Sequence, residues 1–438
     1  MVRFFRNGGT IVLSLVMFSL ILFPDLSLAR RERPSKKAEA AQGTKKSKPA
    51  QPSPAAPAPQ VTSSTLQCDA KSALLMDGLT GEILFDQNAR LRIAPASFVK
   101  IMTLYVIYDA LRAGQLKMED MVTISETAWR RGYKTDSSKM FIKLGDRVRV
   151  EDLIKGVAIA SGNDACVALA EHLSGSEETF VSKMNEKAKF LGLNDSQFKN
   201  SDGLPAEGQY VTAMDMATLS RRYIEDHPEA LAIHSMTEFE YNGIRQGNRN
   251  TLLAKNIGVD GLKTGHVAES GYHLLATAKR EGQRMIAVVM GCEKMSRRGP
   301  EAQKLLEYGF RNFSTVEAVK KGTTFGPVKV KRGKLNQVTL VASEDARVTL
   351  AKGKEKSVAA IPELPTFIVA PVKKGQVAAR LLVQNEGKTV KEVSLLASSD
   401  IEKSLIPSWP VLVAILVGFC LAGVGVLWWL RRSRTKKY

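Results

Sequence analysis

The chain of 438 residues has little from which to build a metal or disulfide scaffold. Its four cysteines are Cys68, Cys166, Cys292 and Cys420, and no two of them form a C-x-x-C pair. Cys420 falls in an apolar run, which leaves three for the rest of the chain. At most one bridge can form among those, and spacing does not choose it. The five histidines show neither H-E-x-x-H nor a comparable ligand spacing, so no metal and no cofactor are expected. Aromatic residues are few, at 7%, and no aromatic RNA-binding signature, helix-turn-helix or zinc-finger pattern is present. The net charge of +19 therefore does not indicate nucleic acid. Much of the excess sits in Arg30–Lys48 and Arg431–Lys437 rather than on one folded face.

Taken in order, residues 1–29 have the layout of a secretory signal. Arg3 and Arg6 precede the apolar run Thr10–Phe23, and Ser27-Leu28-Ala29 offers small residues before a cut. An uncleaved anchor is the alternative. Residues 30–66 are rich in Lys, Pro, Ala, Ser and Gln and too poor in apolar residues to offset ordering, so a disordered tether is expected.

Residues 67–315 carry the mixed pattern of a larger domain. Ser72–Asp77 and Glu82–Asp86 predict a hairpin about Gly78-Leu79-Thr80-Gly81. A helix is expected to about Arg112, with Pro95 in its first turn. Ser125–Lys143 is expected as a long loop, of the kind that often carries function. Helices are predicted over Leu153–Ala160, Asp164–Leu173, Glu178–Leu191 and Ala213–Asp226. Gly258–Gly265, Tyr272–Ala278 and Met285–Met290 predict an antiparallel meander, closed by a helix over Glu301–Phe313.

From 316 to 405 the helical period disappears. Short strands alternate with Gly, Asn and Lys turns, which predicts a small all-β module without a catalytic cluster. Within 406–430, Trp409–Leu430 is nearly continuous apolar sequence without charge, long enough to span a bilayer, with tryptophans at both ends. The basic tail 431–438 follows at once. By the positive-inside rule the tail lies in the cytoplasm and the body outside, as in a single-pass protein of the inner (cell) membrane.

Three short motifs occur within this frame: Ser97-x-x-Lys100, Ser161-Gly162-Asn163 and Lys263-Thr264-Gly265. On a helix Ser97 and Lys100 share a face, which sets a hydroxyl beside an amine near a helix N-terminus. A serine nucleophile needs such a base and such a field. Singly these motifs are turn, cap and tripeptide chemistry. In this order they resemble the triplet of penicillin-binding proteins and class A β-lactamases, with Gly162 at the middle place of the second motif.

The likeness extends to Arg92–Lys100, Ser161–Ala168, Asp202-Gly203-Leu204, Gly208-Gln209-Tyr210, Asn242–Gln246, Asn248-Arg249-Asn250, Val259–His266 and Tyr308–Arg311. Over about Cys68–Ser399 the chain resembles the low-molecular-mass D-alanyl-D-alanine carboxypeptidases, penicillin-binding proteins of the peptidase S11 type. The resemblance implies an α+β penicillin-recognising domain, an antiparallel sheet with helices on both faces. It implies removal of the terminal D-alanine from peptidoglycan pentapeptide stems through an acyl-serine, with β-lactam antibiotics as covalent inhibitors. A serine β-lactamase and a non-catalytic penicillin-binding sensor are the alternatives.

On this resemblance Ser97 is the nucleophile, Lys100 its base and Ser161 the relay to the leaving amine, with Lys263 beside it. Asn163 holds the substrate amide and orients Lys100. Backbone N–H groups of Ser97 and His266 form the oxyanion hole. Thr264 and an arginine hold the carboxylate, and Lys263, Gly265 and His266 complete the substrate-binding set; of Arg297 and Arg298, Arg298 is favoured. The chain departs from the family at its ends. The family usually closes on an amphipathic helix lying on the membrane, whereas here a spanning helix and a basic tail are expected.

Overall fold

In the computed structural model the described residues are 66–133, 137–404 and 409–434. The expected signal 1–29, nearly all of the tether 30–66 and the end of the basic tail lie outside them.

Five antiparallel strands form the main sheet. Their spatial order is Ile83–Gln87, Ser72–Asp77, Gln283–Cys292, Gly271–Arg280 and Val259–Val267. The expected hairpin and meander both form. They join where Leu74 stands opposite Val288.

Successive strand side chains point to opposite faces. Accordingly Leu74, Met76, Ile286, Val288 and Met290 belong to one core, while Ala73, Leu75, Met285, Ala287 and Val289 belong to another. A sheet apolar on both faces must be covered on both. The first face packs under a helical region that includes Val99–Arg112, buried at 11 of its 14 positions. A helix apolar nearly all round belongs inside a domain. The second face packs under Met295–Asn312, whose Ala302, Leu305, Leu306 and Phe310 recur at helical spacing. Full burial of each large apolar side chain contributes about 1.5–3 kcal/mol.

Several local expectations are corrected. Ser125–Lys143 is not all loop, since it contains the helix Glu126–Tyr133. Ser125 Oγ accepts the Ala128 N–H at 3.0 Å, an N-cap contact followed by an acidic first turn. Only Ala128 and Gly132 of this helix are buried, small residues that give a weak apolar period. The closing helix begins at Met295, not Glu301, with Pro300 inside it. It ends at Asn312, and Phe313 already opens a strand. The stretch Leu153–Ala160 is an α-helix only to Lys155 and then a π-helical turn, Gly156–Ala160. A hairpin, Glu238–Tyr241 with Ile244–Gly247, had no counterpart in the strand expectations.

The C-terminal module is all β, as expected. Six strands order as Val358–Glu363, Val377–Asn385, Lys388–Ala397, Gln337–Ala342, Thr324–Lys331 and Phe367–Val369, the last pair parallel. Its core holds Val328, Val330, Leu340, Leu381, Val383 and Leu395. Thr80 Oγ1 meets Thr349 Oγ1 at 2.6 Å, and Thr315, on the connecting strand Phe313–Val319 that pairs with Ala346–Ala351, donates to the Asp77 carboxylate, so polar bonds tie the module to the main sheet. The helix Trp409–Arg434 contains Val411–Arg432, long and apolar enough to cross a membrane, with mean hydropathy 2.6. None of that stretch is buried against the rest of the chain.

Candidate active site

Ser97 sits in a tight helical turn, Ala96–Phe98, which runs directly into the helix Val99–Arg112. Lys100 lies one turn on and is fully buried. Its Nζ is 3.1 Å from Ser97 Oγ and 2.7 Å from Asn163 Oδ1, and it also donates to the Asp202 carbonyl. Ser161 Oγ donates to Ser97 Oγ at 3.0 Å. The first two motifs therefore meet at one hydroxyl.

The third motif lies on the edge strand Val259–Val267. There Gly265 abuts the turn that carries Ser97: a β-carbon on it would come 3.2 Å from that of Ala96. A cavity of about 380 Å³ opens between these elements, lined by Ser97, Asn163, Thr264, Gly265, His266 and Arg298 among others. Lys100, Ser161 and Lys263 are buried and do not line it. His266 is exposed and stacks on Tyr272, ring centroids 4.0 Å apart.

The backbone here is unusual. Ala96, Phe141 and Ser161 have φ of +49°, +67° and +63°. Each such residue costs about 1–3 kcal/mol and persists only where its surroundings fix it. Gly203 shows how tight they are: with φ at +83°, a β-carbon there would lie 1.8 Å from the Ala96 carbonyl oxygen.

Burial holds Lys100 below the ordinary lysine range, and the Arg249 charge pushes the same way against Asp202 and Asp164. The Cys166 thiol beside it is itself pushed up to about 12 by burial, so it is uncharged near neutrality and cannot hold the lysine charged. Lys263 is lowered well below its ordinary value, first by burial and then by Lys100, Arg249 and Arg298. Two desolvated amines and two guanidiniums thus crowd one region.

Several contributors carried no assigned role in the sequence reading. The wall from Ser138 to Ile142 is pinned by the buried Asp164 carboxylate, which accepts the N–H groups of Met140 at 2.8 Å, Phe141 at 3.1 Å and Ile142 at 3.4 Å. Asn163 N–H donates to the Ser138 carbonyl at 2.9 Å. From across the cavity Gln246 donates to the Lys139 carbonyl at 3.0 Å and Arg249 to Ser138 Oγ at 2.6 Å. Behind the Asp202 carbonyl, Arg131 pairs with the carboxylates of Asp202 and Glu177, both at 2.6 Å. Thr103, one turn after Lys100, donates to the Ser201 carbonyl at 2.6 Å. Two consecutive carbonyls of the 201–203 segment are therefore tied to the helix Val99–Arg112.

The two neighbouring arginines part company. Arg298 is buried and lines the cavity, its guanidinium 3.3 Å from the Arg249 carbonyl. Arg297 is exposed and pairs with Asp69 at 3.1 Å. The earlier start of the closing helix puts Arg298 in its first turns, not in the preceding connection.

Comparison with known proteins bears on this arrangement. The pattern of the peptidase S11 family, D-alanyl-D-alanine carboxypeptidase, matches residues 59–294, and that of the penicillin-binding protein 5 C-terminal domain matches 313–403. The chain is 43% identical over 350 residues to D-alanyl-D-alanine carboxypeptidase DacC of Escherichia coli, covering 79% of this chain and 88% of that one. Penicillin binding protein 5 from Haemophilus influenzae superposes with a TM-score of 0.72 at 42% identity, over 77% of this chain and 99% of that one. Penicillin-binding protein D2 from Listeria monocytogenes, solved in an ampicillin-bound form, gives 0.51 at 30% identity, over 56% and 99%. The chain belongs to the D-alanyl-D-alanine carboxypeptidases, the serine peptidases of family S11.

Proposed function

We propose that this enzyme removes the terminal D-alanine from peptidoglycan pentapeptide stems through an acyl-enzyme on Ser97, and that penicillin blocks it by acylating the same hydroxyl. The surroundings of Lys100 carry this reading. A neutral amine has two N–H donors and one lone pair. The Asn163 oxygen and the Asp202 carbonyl take the two donors, which leaves the lone pair for the Ser97 hydroxyl. Burial supports that neutral form.

Ser97 Oγ attacks the carbonyl between the two D-alanines and its proton passes to Lys100. The C–N bond then breaks, and the leaving amine receives that proton through Ser161. Water attacks the ester, Lys100 takes its proton, and Ser97 leaves as a hydroxyl. Backbone N–H groups of Ser97 and His266 hold the developing oxyanion. Thr264 and Arg298, with Gly265 beside them, line the cavity end that receives the free carboxylate, which a charge-assisted bond to Arg298 favours, and Lys263 stays buried next to Thr264.

The same reading takes 67–315 as the catalytic unit and 316–405 as its platform. The apolar helix spans the membrane, and the body lies on the extracytoplasmic side, where stem peptides are. The test is D-alanine release from a pentapeptide, with a tetrapeptide as control. Release from the pentapeptide alone is expected, with release and labelling by a fluorescent penicillin both abolished in Ser97→Ala. Labelling of that variant at the unmodified rate would place the nucleophile elsewhere.

A further inference from the structure

One end of the β module is unlike the rest of its surface. The turn 331–336 joins Thr324–Lys331 to Gln337–Ala342. The last described residues before the apolar helix lie against this turn. Ser404 N–H donates to the Arg332 carbonyl at 2.8 Å, Lys334 N–H to the Glu402 carbonyl at 2.9 Å, and Gly333 bridges Lys403. Four residues, 405–408, separate Ser404 from Trp409, so Ser404, which is bonded to the turn, stands within about 18 Å of the start of the helix.

This end is basic and partly apolar. Lys331, Arg332, Lys334 and Lys403 are all exposed, and Glu402 is the one carboxylate in the two segments 331–336 and 401–404. Lys334 pairs with Glu402, and Lys331 lies over the Phe367 ring at 3.3 Å. Arg332 and Lys403 pair with no carboxylate among the described residues. Leu335, at the tip of the turn, is 56% exposed, and Val369, opposite Lys331 on the edge strand, is 50% exposed. Cations beside an exposed aliphatic tip suit an anionic interface with an apolar layer beneath it.

We propose that this end of the β module seats on anionic phospholipid headgroups, with Leu335 entering among them. The proposal rests on the reading of Trp409–Arg434 as a membrane helix and adds a second contact beside it. Two contacts on one rigid module restrict its tilt, whereas a lone helix on a short connection does not. The seat thereby sets the height at which the catalytic domain meets its polymer.

The experiment uses the full-length chain in vesicles of phosphatidylcholine, with or without phosphatidylglycerol. An environment-sensitive fluorophore is attached at Leu335→Cys in a Cys420→Ser background, since Cys68, Cys166 and Cys292 are buried. A control label at Lys388→Cys lies at the opposite end of the sheet. With phosphatidylglycerol present, the label at 335 should shift to the blue and lose intensity to a headgroup-level spin-labelled lipid. The control label should not respond, and Arg332→Glu with Lys403→Glu should cancel the response. A 335 label that stays aqueous, in protein that resists carbonate extraction, would overturn the seat and leave the membrane helix standing. Release of the protein by carbonate would overturn the helix reading and the seat with it. A shift that is equal in neutral vesicles and insensitive to the charge reversals would reject anionic headgroups as the occupant.

Discussion

Replacing Lys100 by methionine keeps most of the side-chain volume in a fully buried site and removes the amine. Loss of a positioned base costs about 10²–10⁴ in rate. At 1.36 kcal/mol per tenfold, that is about 2.7–5.4 kcal/mol of transition-state stabilisation. The assay is the acylation rate with a fluorescent penicillin, followed by stopped flow across pH. For the unmodified enzyme the rate should rise with pH and level off as Lys100 loses its proton, below the ordinary lysine range. The methionine variant should be slower throughout and lack that step.

Stability gives an independent reading of the same amine. Unfolded, a lysine titrates near 10.4. Between its depressed folded value and about 10.4 the unfolded state binds the extra proton, so stability rises with pH over that window. Lys100→Met should flatten part of this rise and leave the share due to Lys263, which is depressed too. The substitution also leaves the Asn163 and Asp202 oxygens without a donor, at about 1–3 kcal/mol each, offset by removal of a desolvated amine. A variant acylated within tenfold of the unmodified enzyme, with the same pH profile, would refute Lys100 as the base.

Two further outcomes are expected. Amidating the terminal carboxylate of the substrate should slow release, and Arg298→Ala should erase most of that discrimination in kcat/KM while Arg297→Ala leaves it in place. The reverse result would transfer the carboxylate to the exposed neighbour that pairs with Asp69. Penicillin should form a lasting adduct on Ser97, seen by intact-protein mass spectrometry, because the Glu-x-x-Leu-Asn stretch that supplies the deacylating base in class A β-lactamases is missing between Asn163 and Lys263. Rapid multiple turnover without an adduct would favour the β-lactamase alternative.

What the sequence disclosed and what it hid divide along a physical line. The pair Ser97 and Lys100 is legible because helical spacing alone sets it. The strands are legible because apolar runs such as Leu274–Ala278 and Ile286–Met290 must be buried on both faces of a sheet. The hairpin about Asn242-Gly243 was also within reach, for Asn-Gly between Glu-Phe-Glu-Tyr and Ile-Arg-Gln is a strong turn signal, and both residues take positive φ. That hairpin carries Gln246, so missing it hid one wall of the cavity.

The remaining contributors had no local signal. Asp164 looks like an ordinary acidic residue in the first turn of a helix, yet its carboxylate holds the backbone of Met140, Phe141 and Ile142, more than twenty residues away. Arg131 lies on a short helix that reads as loop, and its two partners, Glu177 and Asp202, are 46 and 71 residues distant. Gly203 could be any turn glycine until the Ala96 carbonyl is found where a β-carbon would sit. In each case the chemistry-bearing atoms follow a short pattern, and the groups that fix their geometry come from separate segments that only the fold brings together. Lys100, the proposed base, shows the dependence: Ser97 beside it is three residues away, while the two oxygens that accept from its amine lie 63 and 102 residues away.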